Sequence, residues 1–96
     1  MTELNDSMMF STHPEQLNSR MGEEMAVLDL RSGVYFGLNP VAARVWELVQ
    51  QGKSVGAIRN TLMNEFDVDA DRLQEDLREL FNQFQARGML RPCSAA

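Results

Sequence analysis

The chain has 96 residues, 44% of them hydrophobic and 24% charged, a composition that suits one folded domain with a small core and excludes a disordered chain. Fourteen acidic residues against nine basic ones give a formal net charge of -5, which removes any electrostatic drive toward nucleic acid or an anionic membrane and suits a basic or mixed-charge partner. Cys93 is the only cysteine, so no intrachain disulfide can form, as fits a reducing compartment.

Met1–Ser7 is acidic and polar, without the basic start and apolar segment of a secretory signal, and is expected to be loose. No apolar run approaches the ~20 residues of a membrane span, so a soluble, cytoplasmic protein is expected. Met8–His13 reads as a short strand ended by Pro14. Glu15–Glu23 is polar with few apolar anchors and reads as a loop holding at most one helical turn. Met25–Leu30 is a strand, Arg31-Ser32-Gly33 a hairpin loop whose glycine suits positive φ, and Val34–Leu38 the returning strand. In that strand Val34, Phe36 and Leu38 form the more apolar face and are expected to point inward, with Tyr35 on the other side. Asp29 lies between Leu28 and Leu30; it is expected on the solvent face, the other reading being a bond to the hairpin backbone or to an arginine.

Asn39 and Pro40 are a helix start. The first helix runs to about Gln51 with Gly52 as its left-handed stop. Ser54 caps the second, which runs to about Glu65. After Asp67-Val68-Asp69, Asp69 or Asp71 caps a third helix that ends at Arg87-Gly88 and carries Leu73, Leu77, Leu80, Phe81 and Phe84 at helical spacing. Met89-Leu90-Arg91 is a brief returning strand. The sum is an α+β, winged-helix-like domain over residues 8–91, a three-stranded antiparallel β-sheet followed by a three-helix bundle, with a loose tail over 92–96.

Little here points to catalysis. His13 is the only histidine, so no histidine cluster or His–Cys pair exists, and neither a metal nor a cofactor is expected. Glu75, Asp76 and Glu79 share the third helix with Arg72 and Arg78, and a solvated face with weak ion pairs explains them. Gly33 and Gly37 lack phosphate-loop spacing. From Asp69 to Arg87, five acids stand against three arginines, which argues against a DNA-reading helix although the helix pair invites that alternative. What remains is an edge and a groove. A peptide can add as a strand beside Val34–Leu38. Leu73, Leu77, Leu80 and Phe81 would floor its side chains, and Arg72, Asp76 and Arg78 would stand at the rim. The same apolar stripe is also what a packed core requires.

The run Val27-Leu28-Asp29-Leu30…Gly33-Val34-Tyr35-Phe36-Gly37-Leu38-Asn39…Ala43-Arg44-Val45-Trp46-Glu47-Leu48, followed by Gly52-Lys53-Ser54-Val55…Ile58, Asp76-Leu77…Leu80 and Gly88-Met89-Leu90, resembles the PqqD-like family. These domains recognise ribosomally made, post-translationally modified peptides. The Tyr-Phe-Gly-Leu-Asn run looks more like the standalone recognition proteins of lasso-peptide pathways than like PqqD of quinone-cofactor synthesis, which stays as an alternative. The resemblance implies a non-catalytic adaptor. It would bind the leader segment of a precursor peptide as an added strand and present it to a modifying enzyme such as a leader peptidase or a radical enzyme. Carried over, the peptide-binding residues are Val34, Tyr35, Phe36, Gly37 and Leu38 on the strand, and Leu73, Asp76, Leu77 and Leu80 on the helix.

Overall fold

The computed structural model describes residues 5–13 and 15–93. In chain order these form β1 (Met9–Thr12), β2 (Gln16–Met21), β3 (Glu24–Asp29), β4 (Val34–Leu38), α1 (Pro40–Gln50), α2 (Val55–Glu65), α3 (Ala70–Ala86) and β5 (Leu90–Cys93). The mixed α+β architecture, with one three-stranded antiparallel sheet and three helices, is as the sequence led one to expect. The membership of that sheet is not. Its order is β2-β3-β4, while β1 leaves it and pairs with β5.

The polar stretch read as a loop is therefore a strand, and its polarity has a reason. Its inward positions alternate Gln16, Asn18, Arg20, and each meets a polar group rather than the core. Gln16 Nε2 donates to the Met89 carbonyl at 3.2 Å. Asn18 Oδ1 accepts from the Trp46 indole N–H at 3.1 Å. Arg20 pairs with Glu47 at 2.6 Å. A buried indole N–H needs such an acceptor, so β2 supplies polar partners to α1 and shows no apolar alternation.

β1 and β5 run antiparallel with Phe10 opposite Pro92 and Thr12 opposite Leu90. Pro92, which has no N–H to give, is tolerated because both strands of a two-stranded sheet are edges. Pro92 and Cys93, expected in the loose tail, belong to β5 instead; Pro14, positions 94–96 of that tail and the start of the expected loose N-terminal segment lie outside the described residues. From Asn5 onward that segment lies against α2. The Val55 and Gly56 N–H groups, free donors in the first turn of α2, donate to the carbonyls of Met8 and Asp6. The Asp6 carboxylate pairs with Arg59 at 2.6 and 2.7 Å.

The helices start and stop where their local chemistry dictates. Asn39, Ser54 and Asp69 each accept from the backbone N–H three residues on, at 2.8, 3.3 and 3.2 Å. Gly88, at φ +71°, closes α3: its own N–H reaches the Gln85 carbonyl and the Met89 N–H reaches that of Phe84. The core gathers between the sheet and the helices. Trp46 and Phe81 are fully buried, Phe10 stacks on Phe81 at 4.8 Å, and Trp46 meets Phe84 edge-on at 5.3 Å.

Candidate peptide groove

β4 is an edge of the three-stranded sheet and is paired to β3 alone: Val34 opposes Asp29, Phe36 opposes Val27, and Leu38 opposes Met25. In an antiparallel ladder alternate residues turn their N–H and C=O groups away from the partner, so β4 turns donors and acceptors to its outer side, where among the described residues no further strand pairs with them; the Val34 N–H alone meets a side chain, the Ser32 hydroxyl at 3.2 Å. Where β4 ends, a cleft of about 250 Å³ opens, lined by Asn39, Val41 and Ala42 from the start of α1, Val68 from the α2–α3 turn, and Leu73, Asp76, Leu77 and Leu80 from α3. Its surface is mainly apolar, with the Asp76 carboxylate on the helix wall and the Asn39 side chain engaged in capping.

The structure brings the four α3 residues Leu73, Asp76, Leu77 and Leu80 together in one cleft. Their shares differ. Leu73 and Leu77 are 3% and 1% exposed and belong equally to the core, whereas Leu80 is half-buried and Asp76 is open to solvent. Phe81, expected on the groove floor, is fully buried against Phe10 and takes no part. Arg72 is exposed, stands outside the cleft and makes a 3.8 Å pair with Asp76.

On β4, Leu38 is buried and Phe36 half-buried, as expected for the inward face. Val34 is 46% exposed instead, because at the hairpin end its inward side lies beyond the core. Tyr35 is 62% exposed on the outer face, opposite Leu28, which in turn opposes Leu17 of β2. Sequence reasoning missed Val41, Ala42 and Val68. A valine between two aspartates in a turn was the available signal, since an apolar side chain there needs a surface to rest on.

The β3–β4 hairpin and α3, the two walls of the candidate groove beside the β4 edge, are tied to each other at the hairpin end. Asp29 is buried, contrary to the solvent-facing expectation, and the arginine partner is Arg31. One carboxylate oxygen accepts from the Arg31 backbone N–H at 3.0 Å and from Nε at 3.2 Å, the other from Nη2 at 3.3 Å. Hydrogen bonding from Arg31 holds the Asp29 carboxyl below the usual carboxylate range against the opposing effect of burial. Arg31 Nη2 also donates to the Gly88 carbonyl at 3.1 Å, and the Arg87 guanidinium lies 5.6 Å from the Phe36 ring centre.

On the other side of the first turn of α1 lies a smaller hollow of about 170 Å³, lined by Arg20, Glu23, Pro40, Arg44, Glu65 and Phe66. Three of its four charges are engaged: Arg44 meets Glu65 at 2.8 Å and Glu47, outside the hollow, at 3.7 Å, and Arg20 meets the same Glu47 at 2.6 Å. Among the described residues, no group of three or more His, Cys, Asp or Glu side chains is placed to hold a metal ion, and no helix is long and apolar enough to cross a membrane.

A family model described as coenzyme PQQ synthesis protein D (PqqD) matches residues 24–90, a span that runs from β3 through both groove walls to the start of β5. The chain belongs to the PqqD family. It is similar in structure to TbiB1 in complex with the TbiA(beta) leader peptide, with a TM-score of 0.79 and 27% identity over 84% of this chain and 94% of that one. It is likewise similar to a lasso peptide synthetase B1 complexed with the leader peptide, with a TM-score of 0.77 and 29% identity over 86% and 98% of the two chains. No curated protein matches the sequence.

Proposed function

We propose that this protein recognises the leader segment of a ribosomally synthesised precursor peptide and presents the precursor to a modifying enzyme, most closely as part of a lasso-peptide pathway. The leader adds as a further antiparallel or parallel strand on β4, between that strand and α3, and seats apolar side chains in the cleft at Leu73, Leu77 and Leu80. Backbone pairing along β4 supplies register whatever the sequence, and the cleft supplies choice. The observation that carries this reading is the unpaired β4 edge opening onto an apolar cleft, in a fold shared with two proteins solved with leader peptides bound. The domain acts as an adaptor, leaving covalent chemistry to its partner enzyme. It works in the cytoplasm, where a lone thiol such as Cys93 stays reduced.

Pairing of ~5 residues with two or three seated side chains gives roughly micromolar affinity, about -8 kcal/mol. Fluorescence polarisation with labelled leaders of the precursor peptides encoded beside this chain tests it. Saturable binding to one of them is expected, and no binding above background to any rejects the reading. The acidic exposed positions of α3, Asp71, Glu75, Asp76 and Glu79, predict no gel shift with DNA even at low salt.

A further inference from the structure

Asp29 and Arg31 stand outside the cleft, yet they join the β3–β4 hairpin to the end of α3, the two walls of the proposed groove. The buried Asp29 carboxylate ends β3 opposite Val34 of β4. It holds the guanidinium through two of the latter's nitrogens, and the same Nη2 reaches on to the Gly88 carbonyl at the C-terminal end of α3. A cation suits that helix end, where carbonyl groups point outward. A guanidinium is a rigid planar fork, so a carboxylate and a carbonyl held at once fix the separation of the groups that carry them. Arg87 over Phe36 is a second, softer contact between the same two walls.

We infer that Arg31 is a positioning residue for the peptide groove: by holding Asp29 and Gly88 together it sets how far the C-terminal turn of α3 stands from β4, and so how bulky a leader side chain the groove accepts. The inference rests on the leader-binding reading, and two measurements separate them. In a Cys93→Ser background, spin labels at Leu17→Cys on the sheet and Gln83→Cys on α3, both exposed and outside the groove, report the distance between sheet and helix without any peptide. Arg31→Ala broadens that distance distribution. Arg31→Lys broadens it too, because an ammonium keeps the charge and loses the fork. Arg20→Ala, which breaks the pair with Glu47 on α1 and the bond to the Gly22 carbonyl in the β2–β3 turn, leaves it unchanged.

The second measurement compares a leader that binds the wild type with single-residue variants of it in which a groove-facing side chain is enlarged or truncated. Where the wild type discriminates by about tenfold, as one or two misfitted methylenes allow, Arg31→Ala falls to within about threefold. A distance distribution or a discrimination ratio that stays at the wild-type value in Arg31→Ala overturns the inference. If no leader binds the wild type, the leader reading and the selectivity role both fall, and a broadened distribution would leave Arg31 with a role in wall spacing alone.

Discussion

Asp29 is the single charged residue buried among those described, and it shows how one side chain's role depends on what faces it. Between two leucines in a strand, an acid reads as solvent-facing. The register instead makes it the last paired residue of β3, opposite Val34, and the loop turns the Arg31 guanidinium back over it. Its carboxyl is held below its ordinary value by that hydrogen bonding. The consequence for stability has a definite sign. A lowered folded-state pKa adds stability that is fully present above the unfolded value of ~3.9 and is lost as pH falls through the folded value. Thermal melts of wild type and Asp29→Asn should therefore differ at neutral pH, with the wild type higher, and converge as the buffer is taken below about pH 4. A constant gap across that range would mean the charge of Asp29 contributes nothing. The partner was present in the sequence two positions along; the facing, which depends on where pairing stops, was not.

The elements divide into those with a periodic signal and those without. α3 has a clear apolar stripe and was placed to within a residue or two, but periodicity cannot tell a face that meets the core from one that lines a cleft. Burial separates them. Leu77, 1% exposed, is a core residue that also touches the cleft, so Leu77→Ala should cost about 2–5 kcal/mol in a denaturant titration. Leu80 is half-buried at the cleft, so Leu80→Asp should weaken leader binding by more than about tenfold, the cost of putting a charge where an apolar side chain must sit, while the circular dichroism stays native. Equal effects of both changes on stability would place Leu80 in the core instead. β2 had no signal at all. Its inward residues serve the Trp46 indole, the Met89 carbonyl and Glu47, and those partners lie far along the chain.

Across the described molecule, residues 5–12 are fastened to α2 and to β5. Residues 5–8 lie over the first turn of α2, β1 pairs with β5, and the core closes around Trp46 and Phe81. Gly56 marks the fit, because a Cβ there would stand 2.9 Å from the Asp6 Cβ and 3.2 Å from its carbonyl oxygen. Gly56→Ala should displace the segment, break the Asp6–Arg59 pair and speed proteolytic clipping before β1, although Ala is the better helix former; unchanged clipping would show that the segment yields without letting go. The three-stranded sheet keeps two unpaired edges, β2 and β4, and β4 is the one that runs to the apolar cleft. Backbone amide exchange, residue by residue, with and without a saturating leader peptide, tests strand addition at β4 most directly. Alternate amides between Val34 and Leu38 should slow on binding while those of β2 keep their free rates; binding that leaves every β4 amide unchanged, or that protects β2 instead, would contradict strand addition at this edge.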